Sequence, residues 1–274
     1  MSAERPRMGR FKKVTSLANP LVKDIRALHL KKERDKTRLF IAEGQKLVRD
    51  AVDCGWPVET LAYAATLGDE PAIGALAATA KASGGTVLEV SAAVLEKITR
   101  RDNPQSVVGV FRQRFAPENV VARDGLWVAL DRVRDPGNLG TILRTADAAG
   151  LAGVALVGAS CDPFALETVR ATMGSIFHVP IARIDEDALV AQARQHGARL
   201  LGTHLTADAV DYREADYGRP LVLVMGNEQK GLTPRLAAAC DELARVPMPG
   251  KADSLNLAVS TGLMIYEALR RAEG

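Results

Sequence analysis

Cysteine, aromatic side chains and long apolar runs are all scarce in this chain. Its three cysteines, Cys54, Cys161 and Cys240, stand far apart, with no CxxC pair and no Cys/His spacing of a metal centre. Reduced and mostly buried thiols are therefore expected, and no metal site. Aromatics make up only 4% of residues, which argues against an extended platform of stacked rings. No run approaches the roughly 18 apolar residues of a membrane span. The opening MSAERPRMGRFKK is basic with no apolar stretch behind it, so neither a secretory signal nor a membrane partner is expected, and a cytoplasmic location is. Two ligand motifs are missing as well. In MGNEQKGLTP, Lys230 precedes Gly231, whereas a phosphate-binding loop needs Gly-Lys-Ser/Thr in that order, and no GxGxxG follows a strand-like run. Walker-type NTPases and Rossmann dinucleotide enzymes are thereby disfavoured.

What is present is a chain of 274 residues, 47% hydrophobic and 25% charged, enough for one large or two ordinary domains with real cores. The net charge of +3 is unevenly spread: residues 1–38 hold 12 Lys and Arg against 4 Asp and Glu, net +8, which leaves the remainder at −5. Clusters such as GRFKK and HLKKERDKTR, with Lys12, Lys13, Lys31, Lys32 and Arg34, form a local positive field of the kind that attracts polyanions such as nucleic acid. Because Glu33 and Asp35 alternate with the basic residues, a solvated helix face is the plainer alternative.

Apolar spacing then alternates between helical and strand-like. NPLVKDIRALHL, GQKLVRDAVDCG, EPAIGALAATAKASGG and the Ser-capped SAAVLEKITRR predict helices, and RLFIAEG, VETLAYAA, TVLEVS and SVVGVFR predict strands. This makes a small α/β domain over residues 1–115, followed by a Pro/Asn/Gly-bearing linker at 116–125. Over 126–274 the strand-like runs LWVALDRV, GVALVG, VPIARI, RLLGTHL and PLVLVMGNE are continuously apolar and separated by helical segments, which predicts a parallel sheet covered on both faces. Such sheets bind ligands beyond the carboxyl ends of their strands.

Three polar insertions fall at such places. DPGNLGTILRTADAAG opens a helix after the first strand of the second half and carries Asn138 and Arg144. MGNEQKGLTP follows a strand and leaves Glu228 exposed between Gly226 and Gly231. VPMPGKADSLNLAVSTGLMIYEALRR leads a Pro/Gly-rich loop into a long apolar helix, with Asp253 or Ser254 as N-cap, Asn256 in the first turn, and burial expected on several sides. Each has a bland reading: Ser254 as a mere cap, Arg144 as a surface arginine, Glu228 as a turn residue.

Taken together, in this order and spacing, the three segments resemble the signature motifs of the SpoU (TrmH-like) branch of the SPOUT RNA methyltransferases, and VRATMGSIFHVPI resembles the segment between the first two. The N-terminal half is similar to a substrate-binding domain that folds like ribosomal protein L30e. The resemblance implies an α/β parallel-sheet domain with a deep trefoil knot, preceded by the smaller α/β domain. It implies an S-adenosylmethionine site with contacts at Thr203, Gly226, Val246, Met248 and Leu255, and a homodimer formed through the knotted domain. It also implies methyl transfer to a ribose 2′-hydroxyl, with Arg144 as the catalytic arginine and Asn138, Glu228, Ser254 and Asn256 as its companions. Ribosomal RNA is the expected substrate. Transfer RNA, or a non-catalytic RNA-binding protein with the same fold, are the alternatives.

Overall fold

The computed structural model describes residues 9–100, 105–206 and 208–272. In chain order its elements are β1 (Arg10–Val14), α1 (Pro20–Ala27), α2 (Lys31–Thr37), β2 (Leu39–Glu43), α3 (Gln45–Asp53), β3 (Val58–Ala64), α4 (Pro71–Ala82), β4 (Thr86–Val90), α5 (Ala92–Thr99), β5 (Val107–Arg112), β6 (Leu126–Asp131), α6 (Pro136–Ala148), β7 (Gly153–Val157), α7 (Leu166–Ala171), β8 (Ile181–Ile184), α8 (Glu186–His196), β9 (Arg199–Thr203), β10 (Val210–Asp211), β11 (Leu221–Met225), α9 (Pro234–Ala239), β12 (Glu242–Arg245) and α10 (Leu257–Ala272). They divide into two compact units. One comprises residues 1–113 with Phe164–Phe177, and the other comprises residues 114–163 and 178–274.

The first unit is a five-stranded mixed sheet in the order β1-β4-β3-β5-β2. One of its faces buries Val14, Ile41, Leu88 and Val110 against Val22 and Ile25 of α1 and Val94, Leu95 and Ile98 of α5. Ser91 precedes α5 as expected, but its side chain makes no capping hydrogen bond. The segment Phe164–Phe177, which the sequence reading leaves inside 126–274, packs in this unit. Phe164 stacks at 4.7 Å from Phe40, and Phe177 lies 5.6 Å from Phe111 and 5.2 Å from Trp56, between ring centroids.

The second unit is a seven-stranded sheet, order β10-β12-β9-β11-β6-β7-β8, with every pairing parallel. Its central strands β6, β7 and β11 are buried at every position, as their continuous apolar runs require of strands covered on both faces. Residues 116–125 differ from the linker expected there: Ala116 bridges to Ala182, and Val121 and Ala122 are fully buried in the core of this unit. From β6 the chain steps outward to β7 and β8, then crosses to lay β9 and β11 on the other side. The carboxyl ends of β6, β11 and β9 therefore flank the point where the order reverses, the usual place for a ligand crevice in such sheets.

The closing helix α10 packs on α6, with Gly262 against Thr145. It buries Leu257, Ala258, Thr261, Met264, Ile265 and Ala268. Val259, Leu263 and Tyr266, spaced along its opposite face, are 54%, 38% and 54% exposed. Burial on several sides, expected from its composition, is thus confined to one side within a single chain.

Candidate functional site

The crevice at the reversal point has a volume of about 860 Å³ and is walled by the three segments singled out in the sequence. The first wall is the start of α6. Asp135 is its N-cap, accepting from the Asn138 backbone N–H at 2.7 Å, and Pro136 follows where a missing N–H costs nothing. The second is the loop after β11. Here Gly226 is required for close approach, because a Cβ on it would stand 2.5 Å from the Gly231 carbonyl carbon and the Leu232 nitrogen. Gly231 itself has φ +66°, and Asn227 and Gly231 pair across the loop. The third is the stretch from Val246 to Asn256 that leads into α10.

One chain of side-chain hydrogen bonds joins the three walls. The Asn256 amide donates to Asn138 Oδ1 at 2.9 Å, and the Asn138 amide donates to Glu228 Oε1 at 3.3 Å. Asn256 is also the true N-cap of α10, its Oδ1 accepting from the Ala258 and Val259 amides at 2.9 and 3.3 Å. The cap expected at Asp253 or Ser254 is therefore displaced by two or three residues. The carboxylate of Glu228 accepts from the backbone N–H groups of Arg134 and Asp135, free donors at the helix start, all at 3.4 Å.

Of the residues expected to hold a cofactor, Thr203, Gly226, Val246, Met248 and Leu255 all line the crevice, as do Asn138, Glu228, Ser254 and Asn256. The Thr203 hydroxyl points back to the Val224 carbonyl at 3.4 Å. Arg144 does not line it. That residue lies almost two turns along α6 from Asn138, exposed, and makes no ion pair with any described residue. Sequence reading missed Asn227, whose signal was only its place beside Glu228, and also missed the lining residues Arg134 and His204. Near this site, burial, reinforced by the carboxylates of Glu228, Asp135 and Asp162, pushes the Cys161 thiol up to about 12.

Of the residues expected to touch RNA, Lys12, Lys13, Lys31 and Lys32 are exposed. Lys13 is paired with Glu89 at 3.0 Å and Lys31 with Asp35 at 2.7 Å. Arg34 is a correction. It is only 4% exposed, and its guanidinium donates to the carbonyls of Leu28 and His29 at 2.8 and 2.9 Å, closing the turn between α1 and α2. Its charge is taken up inside the fold and is not presented to a phosphate.

Comparison with known proteins places this geometry. A model of the SpoU rRNA Methylase family matches residues 125–266, and one of the MRM3-like substrate binding domain matches residues 19–109. The 23S rRNA (guanosine(2553)-2′-O)-methyltransferase RlmP of Bacillus subtilis is 34% identical over 256 residues, covering 93% of this chain and 98% of that protein. The 23S rRNA (uridine(2479)-2′-O)-methyltransferase of Streptomyces viridochromogenes is 30% identical over 266 residues, covering 87% and 85%. The crystal structure of an AdoMet-bound rRNA methyltransferase from Sinorhizobium meliloti matches with a TM-score of 0.90 at 56% identity, covering 95% of this chain and 98% of that one. The chain belongs to the SpoU rRNA methylase family.

Proposed function

We propose that this protein is an S-adenosylmethionine-dependent RNA methyltransferase that methylates a ribose 2′-hydroxyl in ribosomal RNA. The observation that carries this reading is the convergence of Asn138, Glu228 and Asn256, from three separate segments, on one crevice at the sheet's reversal point. The crevice suits the cofactor in size, since small-molecule sites run from about 300 to 1,000 Å³. It suits it in chemistry as well: Leu205, Val246, Met248 and Leu255 offer apolar wall to a nucleoside, and the loops after β9, β11 and β12 offer main-chain polar groups. When bound, the cofactor supplies an electrophilic methyl group on a sulfonium.

The protein's own task is to bring a weak oxygen nucleophile into line and manage its proton. Asn138, anchored by the 2.9 Å bond from Asn256 and facing Glu228, is oriented to fix a ribose or phosphate oxygen at the crevice rim. The planar guanidinium of Arg144 offers donors and no acceptor, so its role is to clamp the neighbouring phosphate and stabilise charge developing on the 2′-oxygen. Standing outside the crevice of its own chain, it reaches a substrate only in a site completed by a second copy. The exposed apolar stripe Val259, Leu263 and Tyr266, on the helix packed against α6, is the surface for that homodimer. The knotted path of this fold would be tied where the segment from Val246 to Asn256 meets the loops after β9 and β11. The first unit carries the basic residues Lys12, Lys13, Lys31 and Lys32 as contacts to RNA phosphates. The cysteines form no disulfide among the described residues, in keeping with a reducing cytoplasm.

The test is transfer of radiolabelled methyl from S-adenosylmethionine to separated ribosomal and transfer RNA fractions, followed by alkaline digestion. Label in alkali-resistant dinucleotides from ribosomal RNA is expected, because a 2′-O-methyl group blocks cleavage of the adjacent linkage. Label confined to transfer RNA overturns the substrate, and label released in mononucleotides overturns the ribose.

A further inference from the structure

Glu228 stands at the centre of the site, yet its own contacts hold it loosely. Among the described residues, every donor to its carboxylate, from Arg134, Asp135, Asn138 and Asn227, lies at 3.3 to 3.4 Å, beyond the usual 2.7–3.2 Å range of a protein N–H···O bond. Such bonds do not set the separation of two loops. The short bonds belong to its neighbour. Asn227 is only 7% exposed, and its amide donates to the Arg132 carbonyl at 2.7 Å, across from the β11 loop to the end of β6. Its Oδ1 accepts from the Gln229 and Lys230 amides at 3.0 and 3.2 Å, which folds the backbone tightly around Glu228. The base of the same loop is tied down separately, where the fully buried Asp131 carboxylate accepts from Thr233 N at 3.0 Å and grips Arg132 through two bonds.

We infer that Asn227 is the positioning residue of the transfer site: it sutures the Glu228 loop to the β6–α6 connection, so that Glu228 is held over the start of α6 while its carboxylate stays free to engage substrate. The inference rests on the functional reading above. The two faces of the Asn227 amide do separable work. Its oxygen shapes the loop, and its nitrogen fixes the distance between loops. Asn227→Asp keeps the first and loses the second, because a carboxylate accepts from Gln229 and Lys230 but cannot donate to Arg132. Asn227→Ala loses both.

The experiment compares both variants with the parent by amide hydrogen exchange, calorimetric titration with S-adenosylmethionine, and steady-state methyl transfer, each alone and combined with Glu228→Gln. Faster exchange at Gln229 and Lys230 is expected in Asn227→Ala but not in Asn227→Asp. A fall in kcat of about tenfold or more is expected in both, with the KM for RNA changing by less than about threefold, since one buried hydrogen bond to a polar partner is at stake. Adding either substitution to Glu228→Gln should cost little more, because Asn227 acts through Glu228. Full additivity with Glu228→Gln, or an Asn227→Asp variant with parental kcat, overturns the inference, as does unchanged exchange in Asn227→Ala. If the parent methylates no RNA, the functional reading fails instead, and the exchange and titration data still decide whether Asn227 holds the loop.

Discussion

At the scale of single residues, position and chemistry separate what binds from what reacts. Arg144 lies outside the crevice and makes no ion pair with any described residue, so Arg144→Ala should lower methyl transfer by about 100-fold or more, the range for loss of one charge-stabilising group, while calorimetric cofactor affinity stays parental. Comparable losses in both would place it in cofactor binding. Gly226→Ala should do the reverse. Its Cβ meets backbone at 2.5 Å, which no side-chain rotation relieves, so the loop must shift and cofactor affinity should fall by about tenfold or more. Unchanged affinity would show that the loop yields freely. The thiols of Cys161 and Cys240 are both raised by burial from 9.0 to about 12 and stay neutral in the folded chain. The stability they lend is fully present below pH 9 and is lost as pH rises from 9 towards 12, because only the unfolded state then ionises them. Alkylation by iodoacetamide at pH 8 should accordingly be slow until denaturant is added, and rapid reaction of the folded chain at both positions would contradict the burial.

At the scale of elements, α10 couples stability to the site through one side chain. Asn256→Ala removes an N-cap, costing roughly 1 kcal/mol, and also cuts the link to Asn138. Asn256→Asp restores the cap, yet its carboxylate has no donor for Asn138 Oδ1. Melting should therefore recover in Asn256→Asp while methyl transfer does not, and recovery of both would reduce Asn256 to a cap. The error over this cap shows where the sequence was legible. Helix and strand periods located α10 and the strands β6, β7, β8, β9 and β11, most plainly β6, β7 and β11, where burial on both faces writes itself as an unbroken hydrophobic run. The strands β10 and β12 carry VD and ELAR, too short and too polar to stand out, and owe their existence to pairing with each other and with β9. The cap was misplaced because Asp253, Ser254 and Asn256 are all good caps by type. Only the reach of Asn256 to Asn138, 118 residues away, selects among them. Arg34 failed for a related reason: a basic helix pattern cannot reveal that one of its members turns inward to bind carbonyls.

At the scale of the whole molecule, the chain is not two beads joined once. It leaves the second unit at Phe164 and returns at His178, and the excursion completes the core of the first. The scarce aromatics are concentrated there, with Phe164 and Phe177 closing a cluster of Phe40, Trp56 and Phe111, and the Trp56 indole donating to the Phe177 carbonyl at 3.2 Å. Arg170 from the same excursion pairs with Glu43, whose side chain is 1% exposed, through two bonds to one carboxylate oxygen. Gly174, at φ +109°, makes the turn that seats the segment beside Asp50, where a Cβ would come within 2.9 Å of a carboxylate oxygen. A cut near residue 115, where composition alone suggests a boundary, therefore strips two buried rings from the core, each a loss of about 3–5 kcal/mol, and takes Arg170 away from the Glu43 carboxylate. That exceeds what a domain of this size can ordinarily spare. Residues 1–113 expressed alone should bind a hydrophobic dye and melt without cooperativity. The same fragment with residues 164–177 attached through a flexible linker should melt as a cooperative unit. Cooperative melting of the bare fragment would mean that the excursion decorates a core already complete without it. The expected result would mean that the RNA-binding unit cannot form until the methyltransferase half has been synthesised past Phe177, which ties substrate capture to the presence of the site that uses it.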